Sequence, residues 1–318
     1  MSTRSDRGAV VVADLHRSYG AVRAVRGVSF TVRHGEIFAL LGPNGAGKST
    51  TLEILEGFRA RDGGRVEVLG LDPGDRAVGR ELRERVGLML QDVAVEPYLT
   101  VRETVARDAG YYRAPRDVDE VIALVGLAGL ERRRVRSLSG GQKRRLDLAL
   151  SLVGDPRLLF LDEPTTGFDP TARRAAWRLV RSLRDAGTTV VLTTHYMEEA
   201  QALADRVAVL AEGRIVAEGA PSELGGRAAA PTRIGFALPA GCSPADLPLA
   251  AAHGVVADED GLVTVRTDEP TGTLHRLTAW ALGRGVTLDR LAVERPSLEE
   301  VYLGLTDGAA AAPERSVR

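Results

Sequence analysis

Residues 42–49 read Gly42-Pro43-Asn44-Gly45-Ala46-Gly47-Lys48-Ser49. They fill every fixed position of the phosphate-binding pattern G-x-x-x-x-G-K-[ST]. The apolar run 37–41 before them predicts a buried strand, and a helix is predicted from Gly47 to Leu55. Glycine lets backbone N–H groups turn inward toward phosphate oxygens, and the start of the helix adds further donors. The stretch therefore predicts a P-loop, a strand–loop–helix unit that binds phosphate groups.

Lys48 and Ser49 supply the two side chains that this chemistry requires. The ammonium group of Lys48 is predicted to reach the β- and γ-phosphates of a nucleotide, and the hydroxyl of Ser49 to hold Mg²⁺, which prefers oxygen ligands. The chain has only two lysines, Lys48 and Lys143, among 42 basic residues. A compact ammonium fits a tight loop where a guanidinium group would not, so the lysine at this position supports the prediction independently.

A second predicted strand, residues 157–161, ends in the adjacent carboxylates Asp162 and Glu163. Successive residues of a strand point to opposite faces, so the two acids can divide the work. We expect Asp162 to face the Mg²⁺ shell and Glu163 to face an attacking water molecule. Carboxylates at a strand end can also be merely solvated, but the P-loop earlier in the chain favours the functional interpretation.

Other candidates depend more on their context. Tyr19 could stack on a purine base or simply pack. Gln91 closes a strand predicted from Val86 to Leu90, where its amide could touch Mg²⁺ and a water molecule or be solvated. His195 follows a buried strand, and strand ends are where α/β proteins gather their chemistry, although such a histidine can be a bystander.

Two further segments are predicted to begin helices. The string Ser139-Gly140-Gly141-Gln142 can form a second anion cradle at a helix start, or an ordinary capped helix. Asp169, followed by Pro170, is predicted to cap a helix that ends at Ala186. Between the P-loop and the first of these starts, residues 92–154 have helical periodicity and predict an inserted helical subdomain.

Composition bounds the function of the whole chain. A net charge of -1 gives no basic excess for nucleic-acid binding. The sole cysteine, Cys242, allows no internal disulfide, which fits a reducing cytoplasm. No run of about 18 apolar residues is present, so we do not expect the chain to span a membrane by itself.

The length of 318 residues and a hydrophobic content of 44% predict two domains with their own cores. We assign an α/β domain to residues 9–224, in which 15–20 form a strand end and turn, a linker to 225–231, and a small α+β domain to 232–305. Its predicted strands are 234–238, 262–267 and 286–293, its predicted helix is 271–282, and a disordered tail is expected at 306–318.

The ordered motifs of residues 9–224 resemble the ATP-binding cassette of ABC transporters. The string Leu-Ser-Gly-Gly-Gln at 138–142 is the most specific of them, since other P-loop families lack it. The resemblance implies an α/β P-loop fold with a β subdomain and a helical subdomain, and an ATPase that uses ATP and Mg²⁺. It also implies a head-to-tail homodimer that works with a separately encoded transmembrane permease at the cytoplasmic face of the cell membrane.

The same resemblance implies a role for each site residue. ATP would be bound by residues 42–49 and Thr50, with Tyr19 stacked on the adenine. The metal ligands would be Ser49, Gln91 and Asp162, and the catalytic residues Lys48, Gln91, Glu163 and His195. Ser139, Gly140, Gly141 and Gln142 would close on the partner's γ-phosphate, with Asp169 signalling across the dimer. Phe168 departs from the family, which usually has leucine there.

The C-terminal segment 293–303 resembles the corresponding part of daunorubicin-resistance ATP-binding subunits, which implies export of a drug or antibiotic-like compound. The alternative is a soluble, non-transport ABC ATPase that acts on nucleic acid, the ribosome or an assembly complex. Such proteins usually carry two cassettes in one chain, a long coiled coil or a zinc insertion. The sequence has none of these features, and it is not basic.

Overall fold

A computed structural model describes residues 8–89, 95–224, 230–239, 241–249, 254–257 and 261–294, with Leu298 and Tyr302. The chain divides into two compact units, Met1–Pro221 and Ser222–Arg318. Gln91 and the tail predicted at 306–318 lie outside the described residues, as does the predicted linker except for residues 230 and 231.

The elements of the first unit are numbered in chain order. They are β1 (Val10–Tyr19), β2 (Val22–Val32), β3 (Ile37–Leu41), α1 (Lys48–Leu55), β4 (Gly63–Val68), α2 (Gly79–Arg83), β5 (Val86–Met89), α3 (Val101–Ala109), α4 (Val118–Leu124), α5 (Gly140–Leu152), β6 (Leu158–Asp162), α6 (Pro170–Asp185), β7 (Thr189–Thr194), α7 (Met197–Leu203), β8 (Arg206–Ala211) and β9 (Arg214–Gly219).

A six-stranded sheet of order β5-β6-β7-β3-β8-β9 forms the centre of this unit. All its neighbouring strands run parallel except β9, which is antiparallel to β8. β3, β6 and β7 are buried along their whole length, as expected for parallel strands covered on both faces. The strand that precedes the P-loop therefore lies inside the sheet, between β7 and β8.

A second, antiparallel sheet has the order β2-β1-β4. We expected residues 15–20 to end a strand and turn; β1 ends at Tyr19, which pairs with Val22 across a turn at Gly20 and Ala21. The polar residues of this hairpin face outward, so the hydrophobic pattern fades while the backbone pairing continues. One apolar core joins this sheet to α1 and the central sheet, and Phe30 stacks on Phe38 within it at a centroid distance of 5.1 Å.

The helices α3, α4 and α5 lie within the predicted helical subdomain, and α3 contacts both α4 and α5. Each begins at a side-chain cap: Thr100 and Asp117 cap α3 and α4, and Ser139 caps α5. These caps satisfy backbone N–H groups that a helix start leaves without partners. The predicted fold class, a P-loop α/β cassette with a β subdomain and a helical subdomain, is confirmed. Nowhere in the described part of the chain is a helix long and apolar enough to cross a membrane.

The second unit contains a sheet of order β11-β12-β10-β13 and one long helix. Its elements are β10 (Thr232–Ala237), β11 (Gly254–Ala257), β12 (Leu262–Thr267), α8 (Pro270–Arg284) and β13 (Ala292–Glu294). The strand predicted at 286–293 is wrong for most of its length. Val286 instead donates its N–H to Ala281 at the end of α8, and Leu288 packs into the core, so only the last residues extend along the sheet.

Candidate active site

The parallel register of the central sheet brings three strand ends to one edge. Leu41 of β3 lies opposite Thr194 of β7, and Asp162 of β6 lies opposite Thr193. The segments that follow these strands are the P-loop, the carboxylate pair and His195. Residues separated by more than 150 positions in sequence therefore meet where α/β proteins bind their ligands.

The P-loop is held closely against its neighbours. Gly47 has φ +100, and a Cβ atom there would lie 2.4 Å from the carbonyl oxygen of Ala24 on β2. A Cβ atom on Gly42 would lie 2.5 Å from the carbonyl oxygen of Leu210. Only glycine fits these positions, so the loop can pack directly against β2 and β8 before the first turn of α1.

Lys48 is buried beneath the loop, with 6% of its surface exposed. Its Nζ donates to the carbonyl oxygens of Gly42 at 2.7 Å and Pro43 at 3.0 Å. Burial lowers the pKa of the ammonium group, and the nearby carboxylates of Glu163 and Asp162 partly oppose that shift. An ammonium group has three N–H donors, so these two hydrogen bonds hold Lys48 against the loop and leave one donor for an anion.

Asp162 is the last residue of β6 and Glu163 follows it, and the two carboxylates face different surroundings. Asp162 is buried, and its Oδ1 accepts a short hydrogen bond from the hydroxyl of Thr193. Burial raises the pKa of this carboxyl, an effect that the Thr193 hydrogen bond opposes. Glu163 instead lies 3.1 Å from His195, measured from Oε1 to Nδ1, and its Oε2 accepts from the Thr166 hydroxyl at 3.3 Å. The structure thus pairs two predicted catalytic residues.

Tyr19 lies at the end of β1, near the start of α1. Its hydroxyl is 3.5 Å from the hydroxyl of Thr50, which brings together two residues predicted to bind nucleotide. The guanidinium groups of Arg17 and Arg59 lie 5.0 and 5.2 Å from the ring centroid. With 39% of its surface exposed, the ring can still offer a face to a ligand.

Ser139 and Gln142 form a reciprocal capping box at the start of α5. The Ser139 hydroxyl accepts from the backbone N–H of Gln142 at 3.3 Å, and the Gln142 side chain accepts from the N–H of Ser139 at 3.0 Å. The two intervening glycines, Gly140 and Gly141, form the first turn. The predicted cradle is therefore a capped helix start, and its first residue, Gly140, is exposed.

Asp169 caps α6 by accepting the N–H groups of Thr171 and Ala172, both at 2.9 Å. These backbone hydrogen bonds, chiefly that from Ala172, hold the pKa of the carboxyl below its ordinary value. The preceding Phe168 is buried with Ala172 and Ala176 in a small apolar cluster. The aromatic ring that replaces the usual leucine therefore packs on the helix that Asp169 begins.

Two groups that support the site were not predicted from the sequence. Arg144 of α5 is buried and donates to the backbone carbonyls of Asp162 and Glu163. Glu199 of α7 is fully buried and accepts from the Thr165 hydroxyl at 2.8 Å and from Trp177 Nε1 at 3.1 Å. One signal was present, because Arg144 stands on the same helix face as the buried Leu148, Ser151 and Leu152.

The chain is similar to known proteins along most of its length. Residues 25–166 match the family model for the ABC transporter domain, and 232–297 match a model for an ABC transporter domain-containing protein-like C-terminal domain. The daunorubicin resistance ATP-binding protein DrrA3 of Streptomyces coeruleorubidus is 40% identical over 94% of this chain and 96% of its own length. The Nod factor export ATP-binding protein I of Rhizobium sp. (strain N33) is 46% identical over 68% of this chain and 72% of its own.

Solved structures agree with the sequence relatives. The cbiO1 protein of Clostridium perfringens, part of the ABC transporter complex cbiONQ, aligns with a TM-score of 0.63 at 29% identity over 69% of this chain and 90% of its own. The fold also matches the ATP-binding cassette MJ0796, solved as a dimer in a post-hydrolysis state with ADP and Pi, with a TM-score of 0.62 at 24% identity, covering 66% of this chain and 98% of that one. The chain therefore belongs to the ABC transporter family, as an ATP-binding subunit with ATPase activity.

Proposed function

We propose that this subunit powers the export of a drug or antibiotic-like compound through a separately encoded transmembrane permease. The observation that carries the proposal is the relationship to DrrA3, which extends over 94% of the chain and so includes the second unit. The Nod factor export relative of Rhizobium sp. (strain N33) aligns with only 68% of the chain. The permease would hold the subunit at the cytoplasmic face of the membrane.

In this proposal the residues around the P-loop bind ATP. Lys48 pairs with the β- and γ-phosphates, and residues 42–49 surround them with backbone N–H groups at the positive end of α1. Tyr19 stacks on the adenine, with Thr50 beside it. The support is geometric, because Lys48 is held by the loop carbonyls of Gly42 and Pro43 and Tyr19 lies near Thr50 at the start of α1.

Mg²⁺ fits the donor set of this edge of the sheet. Among the described residues no group of three or more His, Cys, Asp or Glu side chains could hold a metal alone. Mg²⁺ commonly binds through one or two carboxylates together with substrate phosphates, which the Asp162 carboxylate and the Ser49 hydroxyl suit. We assign Gln91 as a further ligand from the sequence. When bound, the ion would neutralise negative charge that develops on the phosphates.

During hydrolysis, Glu163 would act on the attacking water and His195 on the γ-phosphate. Glu163 accepts a proton from the attacking water and orients it, while His195 contacts the γ-phosphate. Their hydrogen-bond distance of 3.1 Å supports this division, because the imidazole can hold one carboxylate oxygen and leave the carboxylate aligned. Asp162 stays in its buried position beside Thr193, where it serves the metal.

A second copy of the chain would complete each site. Ser139, Gly140, Gly141 and Gln142 would close on the γ-phosphate held by the partner, and Asp169 would transmit that closure across the interface. The support is the second helix start, α5, whose positive end is exposed on the helical subdomain and suits an anion. Two chains in head-to-tail contact would then bury two nucleotides.

The test is transport in inverted membrane vesicles that contain this subunit together with its candidate transmembrane permease. We expect ATP-dependent uptake of daunorubicin or a related amphiphile, and co-purification of the two proteins. Glu163→Gln is the matched control: it should bind ATP but lose turnover by about 10²-fold or more. Co-purification without ATP-dependent uptake of any drug-like compound tested would contradict the assigned substrate class.

A further inference from the structure

Glu163 has an unusual backbone for a residue with a long side chain. Its φ is +47°, in the left-handed region that non-glycine residues avoid because Cβ approaches the following carbonyl oxygen. Its N–H donates to the carbonyl oxygen of Thr193 at 3.1 Å. A conformation of this kind persists only where the surrounding structure holds it, and such positions are common in active sites.

Arg144 lies where it can hold that conformation. Its Nη2 donates to the carbonyl oxygens of Asp162 at 2.6 Å and Glu163 at 2.9 Å. These carbonyls belong to the two peptide groups that flank the Cα atom of Glu163, so their relative orientation is set by φ and ψ of Glu163. One nitrogen that binds both carbonyls restricts the combinations of φ and ψ that Glu163 can adopt.

Burial makes this contact strong. Arg144 is 9% exposed, and hydrogen bonds from a charged donor strengthen where water is excluded. The planar guanidinium group can direct one nitrogen to two oxygens, which a flexible side chain does less well.

We propose that Arg144 is a positioning residue for hydrolysis, which holds the backbone of Glu163 so that its carboxylate stays aligned with His195. The inference rests on the proposed role of Glu163 as the group that orients water. Arg144 itself touches neither nucleotide nor water in this account. It ties Glu163 to α5, the same helix that begins at Ser139.

The first test compares Arg144→Gln and Arg144→Lys with the wild type. Misplacing a reacting group by about 1 Å can cost about 10²-fold in rate, so we expect kcat of Arg144→Gln to fall about 10- to 100-fold. The Kd for ATP, measured without turnover, should stay within about twofold because the P-loop is unchanged. Arg144→Lys retains a charged donor and should recover part of kcat. If Arg144→Gln fails to fold, Arg144→Lys tests the inference in its place.

Arg181→Gln is the matched control. Arg181 of α6 also donates to a backbone carbonyl, but that carbonyl belongs to Ala202 and not to the carboxylate pair. We expect kcat of this variant to match the wild type. An equal loss in Arg181→Gln would mean that any lost arginine–carbonyl contact slows the enzyme, which would overturn a specific role for Arg144.

A double-variant cycle separates positioning from general damage. If Arg144 acts through Glu163, adding Arg144→Gln to Glu163→Gln should cause no further loss in single-turnover hydrolysis. Multiplied losses, or an ATP affinity that falls as much as kcat, would overturn the inference. If Glu163→Gln itself keeps wild-type turnover, the proposed role of Glu163 fails instead; if only Arg144→Gln keeps it, the present inference alone fails.

Discussion

Lys48 is the residue whose position most directly limits what the site can bind. Its ammonium group is buried, it is held by two loop carbonyls, and carboxylates lie near enough to affect its pKa. A buried cation is costly unless it is paired, and loop carbonyls alone are weak partners for a full charge. In the proposed function the phosphates of ATP supply this negative charge, which would explain a lysine at this position in a chain whose other basic residues are arginines except for Lys143.

Lys48→Ala tests whether the Lys48 ammonium group pairs with the phosphates of ATP. We expect ATP affinity to fall at least about tenfold, because hydrogen bonds to charged groups contribute about 1.5–3 kcal/mol each. Titration calorimetry on the wild type and the variant measures the change. Lys143→Ala is the control, since it removes the other lysine, which is exposed, and should leave affinity unchanged. Equal affinity in Lys48→Ala and the wild type would contradict the P-loop assignment.

Glu56 gives a second prediction at the residue scale, this one about stability. It lies at the end of α1 and is buried, and burial raises the pKa of its carboxyl from 4.5 to about 8, with smaller contributions from Asp162 and Glu53. Between these pKa values the folded protein keeps a proton that the unfolded chain releases. Stability must therefore fall as pH rises from about 4.5 toward 8, by about 1.4 kcal/mol for each unit of pKa difference.

Glu56→Gln removes this dependence because glutamine does not titrate. Relative to the wild type, the variant should gain stability as pH rises from 5.5 to 8.5, and the gain should reach the order of a few kcal/mol. Urea unfolding at both pH values measures it. Glu120→Gln, which changes an exposed glutamate of α4, is the control. A difference between Glu56→Gln and the wild type that is the same at both pH values would refute the explanation.

At the scale of elements, β5 and α5 pack so closely at Gly87 that no side chain fits between them. A Cβ atom on Gly87 would lie 2.0 Å from the carbonyl oxygen of Ser151 on α5 and 2.9 Å from Cδ1 of Leu159. The backbone of the strand therefore packs directly against the helix. This close approach sets the depth at which α5 lies on the sheet, and so the position from which Arg144 reaches the end of β6.

Gly87→Ala should destabilise the protein by about 1–3 kcal/mol or more, the range for overpacking a close contact. Gly63→Ala is a matched control at the start of β4, where the nearest atoms to a new Cβ belong to His16 at 3.8 Å. That variant should stay within about 0.5 kcal/mol of the wild type. Denaturant unfolding of both variants makes the comparison, and equal stabilities would contradict the packing account.

At the scale of the whole molecule, the two anion-binding helix starts of one chain suggest that each nucleotide needs two chains. Lys48→Ala and Ser139→Arg should each be inactive alone, because each spoils both sites of a symmetric dimer. Mixed in equal amounts they should recover about a quarter of wild-type activity, since half of the dimers are mixed and each of those keeps one intact site. No recovery, with mixed dimers shown to form by cross-linking, would argue against shared, independent sites.

The sequence by itself determined the motifs whose residues are adjacent in the chain. The P-loop, the Asp162 and Glu163 pair and the capped helix at Ser139 are contiguous because they depend on local backbone geometry, and contiguous apolar runs likewise predicted β3, β6 and β7. Gln91 remains a prediction from sequence. β13 was predicted poorly, because hydrophobic periodicity records which side chains are buried and not how far backbone pairing extends.

Only the tertiary structure decided which distant residues meet. The pairing of Glu163 with His195, of Asp162 with Thr193 and of Glu199 with Thr165 joins positions about 30 apart. Such contacts follow from the order of strands in the sheet, which no local pattern contains. Arg144 is the clearest case: its sequence position indicates only an arginine on a buried helix face, whereas its reach to the two carbonyls around Glu163 depends on how closely α5 packs against β5.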